Sequence, residues 1–300
     1  MTTLAHANDT VQFDISKKHF YRGDHALCGL LPLLAARFYP TYTYTRATFN
    51  RTHNATTEHS QRQSTKHAIK SKTRAKGIDV GMGFDKEMQR TIEIMNRFPS
   101  APMRAIWDTS YAEQASNLPQ WFKEKAKVLT PQTRAFWKCM ETRKLMPVGA
   151  QVCVGNQYAT AIDIVCVNEQ KESVLIEAKC GFTNYYLNCT KVMMRAPLHL
   201  HTDSLFNQWH MQLAASRELY KLTFPSRIIG QCLVVRIDNT SVYCYELKKW
   251  ALDIPSWSNL IYQPKTHATI IPITYAEKLK NKRKIEDPTK KKKKKKAKLE

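Results

Sequence analysis

Two pairs of short apolar runs, separated by one helical segment, occupy residues 151–247 and limit the folds open to this chain. The first pair is "QVCVGNQYATAIDIVCV" and "ESVLIEAK", joined by the polar turn "NEQK", and the second is "RIIGQCLVVRI" and "SVYCYEL", joined by "DNT". Apolar and β-branched residues bounded by polar turns are typical of strands. Between the pairs, residues 204–222 have a helical pattern that begins with Ser204, a good N-cap.

Helices are predicted before these strands. Residues 26–39, "ALCGLLPLLAARFY", are expected to form a buried helix, because the run is too short to span a bilayer and contains a proline. Further helices are predicted from Gly83 to Arg97, over 111–118, and over 130–145, where Thr130 is the N-cap. Helices followed by hairpin, helix and hairpin predict an α/β fold with a central mixed β-sheet flanked by helices.

Composition divides the chain into three regions. Residues 1–76 are predicted to contain an N-terminal helical segment and then, from Thr41, a polar basic loop in which Glu58 is the only acid. Residues 77–275 are predicted to form the folded core. Residues 276–300 are predicted to be a disordered basic tail, in which every position from 290 to 296 is lysine.

The charge of the chain points to a polyanionic partner. The net charge is +22, and residues 278–300 hold thirteen Lys and Arg against three acids, so the rest of the chain is also strongly basic. Such a balance favours nucleic acid as the partner, with no membrane association expected. The lysine run is typical of a nuclear address or of a nonspecific DNA clamp. A nuclear address favours a DNA virus or mobile element of a eukaryotic host as the source.

Cysteine usage indicates a reducing, intracellular setting. The eight cysteines form no CxxC pair, and several lie inside apolar strand-like runs. That pattern is typical of buried reduced thiols and not of a disulfide framework or a zinc module.

Two carboxylates are predicted to meet at the end of two neighbouring strands. Strand side chains alternate between faces, so "ATAIDIV" places Ile162 and Ile164 on one face and Asp163 on the other. In "VLIEAK" the same rule places Glu177 and Lys179 together on one face, opposite an apolar one.

The chemistry of these three residues predicts a metal site. Two carboxylates that converge repel each other unless a proton or a cation lies between them. Mg²⁺ or Mn²⁺ suits oxygen ligands, and Lys179 can then polarise a water for attack on a phosphodiester. A surface ion-pair cluster is the structural alternative.

Asp163, thirteen intervening residues and then Glu177-Ala178-Lys179 at the end of an apolar strand resemble the PD-(D/E)XK nuclease superfamily. Downstream, "HMQLAASREL" is similar to the QxxxY helix of the RecB-like and lambda-exonuclease-type branch. Gln212 stands at the glutamine position, and Ser216 stands where the tyrosine would be.

Two further positions of the branch are partly matched. "GMGFDKEM" resembles its early helix and places Asp85 on the motif, with Glu87 as the substitute. Ala161 replaces the glycine that usually lies two residues before the aspartate. The resemblance covers about residues 77–250 and implies a restriction-endonuclease-like core.

The resemblance also implies roles for individual residues. Asp163, Glu177, the carbonyl of Ala178 and Asp85 would hold the metal, and Lys179 would orient the water. Residues predicted to position or contact nucleic acid are Gln212 and Gln208 on the later helix, and Tyr185, Tyr186, Lys191 and Arg195 after the second strand, where Phe182 adds a further ring. The cysteine spacing of the branch's iron–sulfur variant is missing, so no cluster is predicted.

Two other ExK tripeptides compete with this assignment. Glu169-Gln170-Lys171 lies in the predicted turn "NEQK" and is set aside. Glu246 and Lys248, with Asp238 upstream, also end an apolar strand. This second set has only a short turn before it and no glutamine-bearing helix after it, so the first set is preferred.

The function expected from these features is a Mg²⁺-dependent deoxyribonuclease. Exonuclease action on duplex ends in recombination, repair or replication, with a protein partner from one of these processes, is what the resemblance implies. The alternatives are a nonenzymatic basic nucleic-acid-binding protein on a nuclease-like scaffold and an RNA endonuclease with the same core.

Deletion of residues 278–300 tests the role assigned to the basic tail. Because the deletion removes a net charge of +10, we expect weaker DNA binding and a smaller dependence of affinity on salt, with cleavage retained. Fluorescence anisotropy over a salt series measures both quantities. An unchanged salt dependence would show that the tail does not contact DNA.

Overall fold

A mixed β-sheet lies at the centre of the computed structural model. The structure describes residues 10–14, 19–40, 64–180, 192–254 and Trp257, with side chains described from residue 79 onward in the helix that begins at Ser64. Within these residues there are eight strands: β1 Val11–Asp14, β2 His19–Arg22, β3 His25–Gly29, β4 Met146–Gly155, β5 Tyr158–Val167, β6 Ser173–Cys180, β7 Ile229–Asp238 and β8 Ser241–Glu246.

The sheet combines hairpins with two parallel pairings. The strand order is β1-β2-β3-β5-β6-β7-β8, and β4 pairs with β5 outside this path. Neighbours are antiparallel except β3 with β5 and β6 with β7, which are parallel.

On one edge of β5, a gap separates the residues that pair with β3 from those that pair with β6. Because β4 pairs with β5 along one edge from Ala159 to Val167, β3 and β6 share the other edge. There β6 pairs with residues 164–167 and β3 with residues 158–159. Residues 160–163 therefore have no strand partner on this edge among the described pairings, and the sheet splits just where Asp163 lies.

Helices cover both faces of the sheet. The described helices are α1 Leu30–Phe38, α2 Ser64–Arg97, α3 Arg104–Trp107, α4 Thr109–Gln114, α5 Gln120–Lys127, α6 Pro131–Thr142, α7 Leu205–Thr223 and α8 Lys249–Leu252. No helix in the described ranges is long and apolar enough to cross a membrane.

The two faces carry separate apolar cores. The α2-side core joins α2–α6 to the sheet and includes Phe84, Met88, Phe136, Trp137, Ile176 and Val235. The α7-side core joins α1 and α7 to the sheet and includes Leu34, Phe38, Leu175, Leu213, Leu219 and Val234. The apolar residues of β6 and β7 alternate between these cores, which fixes the direction of every side chain along the two strands.

The predicted α/β class, with a mixed sheet flanked by helices, is confirmed. The strands predicted between 151 and 247 are present, with Asn156-Gln157 separating β4 from β5. The N-caps are also confirmed, because Thr130 accepts a hydrogen bond from the amide of Thr133 and Ser204 accepts one from Asn207.

The N-terminal region differs from the prediction of a helical segment. Residues His25–Gly29 form β3, and the helix begins only at Leu30. Strands β1 and β2 precede it and were not predicted. Four- and five-residue strands show too little alternation to be recognised, although Gly23, at φ 54°, provides the turn between β2 and β3.

Helix α2 crosses the predicted boundary at residue 77 and begins at Ser64, within the stretch predicted as a loop. Its glycines weaken a helix by about 1 kcal/mol each, which hid its length in the sequence. Gly81 has a packing reason, since a Cβ at this position would lie 3.3 Å from the carbonyl oxygen of Cys180 at the end of β6. Residues 41–63, and the tail at 276–300, lie outside the described residues.

The helices between α2 and β4 are shorter and more numerous than predicted. The helix expected over 111–118 is α4, Thr109–Gln114, and α5 was not predicted.

Glu87 of α2 connects this layer to α6, because its carboxylate accepts hydrogen bonds from Thr130 N at 3.1 Å, Thr130 Oγ1 at 2.7 Å and Thr133 Oγ1. It thereby satisfies donors at the positive end of α6.

Replacing Glu87 tests this capping contact. Because Glu87→Ala leaves Thr130 and Thr133 without their shared acceptor, we expect the free energy of unfolding to fall by about 1–2 kcal/mol. Urea denaturation measures it, with Glu93→Ala, at an exposed position of the same helix, as the matched control. Equal stability of the two variants would contradict the contact.

Candidate functional site

Asp163 and Glu177 face each other where β5 separates from β6. The last pair of the β5–β6 ladder is Ile164 with Ile176, so one further step places Asp163 opposite Glu177. There the Asp163 side chain replaces a backbone acceptor, since its Oδ2 accepts a hydrogen bond from the amide of Ala178 at 2.9 Å. The predicted meeting of the two carboxylates at neighbouring strand ends is present.

Glu177 and Lys179 lie on the α7 side of the sheet. Ile176 and Ala178 belong to the α2-side core, so alternation directs Glu177 and Lys179 the other way, as the sequence predicts. The ammonium of Lys179 donates a hydrogen bond to Glu177 Oε1 and lies 5.8 Å from the ring centre of Trp209 in α7.

The regular alternation predicted around Asp163 is wrong. Ile162 belongs to the α7-side core and Ile164 to the α2-side core, although they were predicted to share a face. Opposite Asp163 on β4, Gln151 has φ 51°, and the paired residues on either side are Ala150 with Ile164 and Val152 with Ile162. Gln151 donates a side-chain hydrogen bond to Asp163 Oδ1 at 3.3 Å.

Burial and like charge raise the pKa of Glu177 to about 8. Its side chain is 2 % exposed, and burial is the larger cause, followed by the negative charge of Asp163. Lys179 opposes the rise and Asp85 adds to it. Burial alone would lower the pKa of Lys179, but the charges of Glu177, Asp163 and Asp85 outweigh it, so the pKa is raised and the ammonium stays charged.

Asp85, and not Glu87, belongs to this charge cluster. Burial raises the pKa of Asp85 to about 6, with a further rise from Asp163 and a smaller lowering by Lys179. Glu87 instead caps α6. The close approach of Gly81 to Cys180 brings this part of α2 to the end of β6, which explains why a helix on the other face contributes a carboxylate here.

The donor set suits a hard divalent cation. Asp85, Asp163 and Glu177 offer only oxygens, and three interacting carboxylates beside one lysine have an excess of negative charge when ionised. The carbonyl of Ala178 points to the same edge of β6 as its amide, which bonds Asp163. In the part of the chain that the structure describes, no three His, Cys, Asp or Glu side chains stand together as a ready-made ligand group.

The two glutamines of α7 have different surroundings. Gln208 donates a side-chain hydrogen bond to the buried Asp203 at 2.8 Å, which fixes the chain before α7. Gln212 is half-buried and makes no side-chain hydrogen bond to another described residue. Ser216, at the tyrosine position of the motif, is buried and donates back to the carbonyl of Gln212 at 2.8 Å, so its hydroxyl points away from solvent.

Of the residues predicted to contact nucleic acid after β6, the structure describes one. The guanidinium of Arg195 donates to the carbonyl of Ala36, and its amide donates to that of Phe38 at 2.9 Å, so it holds the end of α1. Four predicted residues, Phe182, Tyr185, Tyr186 and Lys191, lie outside the described residues.

The competing ExK set is not assembled. Asp238 pairs with Ser241 and Glu246 pairs with Leu233, five positions away along β7. At about 3.4 Å per residue this separates the two carboxylates by roughly 17 Å. Glu246 is exposed and accepts from Gln231 at 2.8 Å. The turn tripeptide is also surface structure, since Glu169 forms an exposed ion pair with Lys144.

Three residues near the site were not found from the sequence. Gln151 and Trp209 contact the Asp163 carboxylate and the Lys179 ammonium, respectively. Arg236 of β7 is the register partner of Lys179. The alternation of strand residues does not indicate which polar side chains contact each other between strands. For Trp209, the one available signal was its position directly after Gln208 on α7.

The seven described cysteines form no disulfide with one another, and three of them are buried. The reducing, intracellular setting stays a prediction. Cys189 lies outside the described residues. The expectation of no iron–sulfur cluster stays a prediction.

Comparison with models of protein families, with curated proteins and with solved structures finds no match to this chain. The resemblance to PD-(D/E)XK nucleases therefore rests on the residues themselves.

The raised pKa of Glu177 predicts a pH-dependent stability. The folded protein retains a proton that an exposed glutamate of the unfolded chain releases near pH 4.5. This contribution to stability is therefore full below that pH and is lost as the pH rises through about 8. The pH range over which Asp85 lowers the stability in the same way ends near pH 6. His210 instead raises the stability as the pH increases, and its range ends near pH 6.5. Above pH 7, Glu177 is the one of these three that titrates.

We therefore expect wild type to lose stability relative to Glu177→Gln between about pH 7 and pH 9, by at most about 1.4 kcal/mol per pH unit. Urea denaturation at a series of pH values measures the difference, with Glu93→Gln as the control that keeps the slope of wild type. Parallel curves for wild type and Glu177→Gln would contradict the shifted pKa.

Proposed function

We propose that this chain is a divalent-metal-dependent nuclease of the PD-(D/E)XK type, with a restriction-endonuclease-like core, that hydrolyses phosphodiester bonds in DNA. One observation carries the proposal: Asp163 and Glu177 lie opposite each other at a split in the sheet, with Lys179 beside them. A surface ion pair would account for the Glu177–Lys179 contact, but not for a buried glutamate that faces a second carboxylate.

The metal ligands would be the oxygens of Asp163, Glu177 and Asp85 together with the carbonyl of Ala178. Mg²⁺ or Mn²⁺ supplies, when bound, a lowered pKa of water and positive charge beside the phosphate. Burial and, after it, the like charge of Asp163 raise the pKa values of Glu177 and Asp85, and a bound dication would offset both effects.

Lys179 is the proposed catalytic cation. Its contacts with Glu177 and Trp209 hold the ammonium on the α7 side of the sheet, and its raised pKa keeps it charged. A charged ammonium orients water by donating a hydrogen bond to it and stabilises negative charge that develops on the phosphate. It does not act as a general base, because it holds its proton at neutral pH.

Gln212 is proposed to position the DNA strand. It lies half-buried on α7, one turn after Gln208 and three residues after Trp209, and its amide is not engaged by another described side chain. Gln208 acts indirectly, because its amide holds Asp203.

DNA is the proposed substrate because the chain carries a net charge of +22. Exonuclease action on duplex ends in recombination, repair or replication, in the nucleus and together with a partner protein, extends the proposal by resemblance. An RNA substrate is the variant of the same chemistry that paired ribo and 2′-deoxy substrates distinguish.

A nonenzymatic nucleic-acid-binding protein is the second candidate. It is favoured by the contact of the Lys179 ammonium with Glu177, together with the lack of a ready-made ligand group in the described residues. In that case the ion pair is permanent and the basic surface alone binds DNA.

Digestion of labelled duplex DNA with Mg²⁺ or Mn²⁺ tests the proposed function. We expect wild type to cleave, and Asp163→Asn, Glu177→Gln and Lys179→Ala each to lose at least about a hundredfold in rate, because each removes a ligand or the charged donor. Glu246→Gln and Lys248→Ala, from the unassembled ExK set, are the matched controls and keep the wild-type rate.

Metal binding gives an independent measurement. Mg²⁺ or Mn²⁺ should raise the thermal stability of wild type but not of the variant Asp163→Asn/Glu177→Gln. Wild-type chain that binds DNA with strong salt dependence, shows no such stabilisation and cleaves with neither metal would establish the nonenzymatic candidate instead.

A further inference from the structure

The strands beyond β6 continue the site in a row of side chains. The parallel pairing of β6 with β7 places Arg236 beside Lys179, and the antiparallel pairing of β7 with β8 places Tyr243 beside Arg236. Directly paired residues of neighbouring strands point to the same face. Lys179, Arg236 and Tyr243, here called the cross-strand row, therefore line one face over about 10 Å, at roughly 4.8 Å per strand.

The direction of the row is fixed by the cores around it. Val235 and Ile237 belong to the α2-side core and Val234 to the α7-side core. Alternation along β7 thus directs Arg236 to the same side as Lys179. The guanidinium carbon of Arg236 lies 5.1 Å from the ring centre of Tyr243, which confirms that these two side chains share a face.

Arg236 is held in place before any ligand binds. Its guanidinium forms an ion pair with Asp238, two residues along the same strand, and the two side chains are only 15 % and 12 % exposed. Tyr243 covers one side of the guanidinium, and the tyrosine residue is itself 45 % exposed. Such a preorganised arginine loses little conformational entropy when it binds.

The chemistry of the row matches one nucleotide of a nucleic-acid strand. A guanidinium offers several donors in a plane, which suits the oxygens of a phosphate even while one edge is paired. An accessible tyrosine ring next to it suits stacking on a base, and stacking tolerates any base. Arg236 lies one strand away from Lys179 and Tyr243 lies two strands away, so a nucleic-acid strand whose phosphodiester lies at Lys179 can extend over both.

We propose that Arg236 and Tyr243 bind the nucleotide adjacent to the phosphodiester at Lys179, Arg236 through its phosphate and Tyr243 through its base, without sequence preference. This inference rests on the proposed function for the placement of the phosphodiester, but the binding that it predicts is measured without cleavage. Lys179 is the catalytic cation, whereas Arg236 and Tyr243 are binding residues.

The test compares two double variants that leave the net charge unchanged. Arg236→Gln/Asp238→Asn removes the proposed contact together with its partner, so no buried charge is left uncompensated. Arg217→Gln/Glu218→Gln is the matched control, since Arg217 is also paired with a neighbouring acid at partial exposure. Arg217 lies near Cys232, on which its charge acts. Cys232 precedes Arg236 by four residues along β7, so these two positions are roughly 13 Å apart and the control lies away from the row.

Binding of the full chain to labelled single-stranded and duplex DNA is followed by anisotropy over a salt series, with EDTA present. We expect Arg236→Gln/Asp238→Asn to weaken binding about fivefold or more and to lower the slope of log affinity against log salt by roughly 0.7–0.9. Tyr243→Ala should weaken single-strand binding about fivefold or more, equally for homopolymers of different bases, while Tyr243→Phe should not. The control variant should match wild type.

The inference is overturned if Arg236→Gln/Asp238→Asn and its control show the same affinity and slope, since the ion pair would then be structural only. Urea denaturation checks folding, and Tyr243→Ala against Tyr243→Phe decides the outcome if the Arg236 variant is unfolded. The two proposals fail separately. If wild type cleaves DNA but the row variants bind it as wild type does, the role of the row is rejected and the nuclease is kept. If wild type never cleaves but Arg236→Gln/Asp238→Asn lowers the salt slope of binding, the nuclease is rejected and the role of the row is kept.

Discussion

The repulsion between two carboxylates at a split in the sheet is the constraint around which the site is arranged. Glu177 is 1 % exposed and faces Asp163, an arrangement that costs several kcal/mol unless a proton or cation compensates it. Lys179 supplies one positive charge, which leaves the ionised cluster with an excess of negative charge. The site is therefore a locally negative region within a strongly basic chain, and a cation would be bound favourably there.

An irregular stretch of β4 and β5 lies beside the split. Gln151 has φ 51°, and the side chain of Asp163 accepts the Ala178 amide that a regular partner strand would have bonded. In a regular sheet, the amide and the carbonyl of Ala178 would both form backbone hydrogen bonds with a neighbouring strand. The irregularity thus leaves backbone and side-chain oxygens together at one edge.

The sequence predicted what depends on local periodicity. Alternation in β6 was enough to place Glu177 and Lys179 together, and the strand register keeps Asp238 far from Glu246 in the competing ExK set. What remained hidden depends on contacts distant in sequence. Nothing local to α2 shows that Glu87 caps α6 while Asp85 faces the sheet, and four-residue N-terminal strands carry too little pattern to be recognised.

The close approach at Gly81 has a consequence for how this chain can vary. Helix and strand meet there through backbone, with the carbonyl of Cys180 only 3.3 Å from where a Cβ would stand. Main-chain contact therefore contributes to the spacing between Asp85 and the two strand carboxylates, alongside the apolar packing of Phe84 and Met88. A side chain at position 81 would require the helix or the strand to shift, and that shift would change the distance from Asp85 to the strand carboxylates.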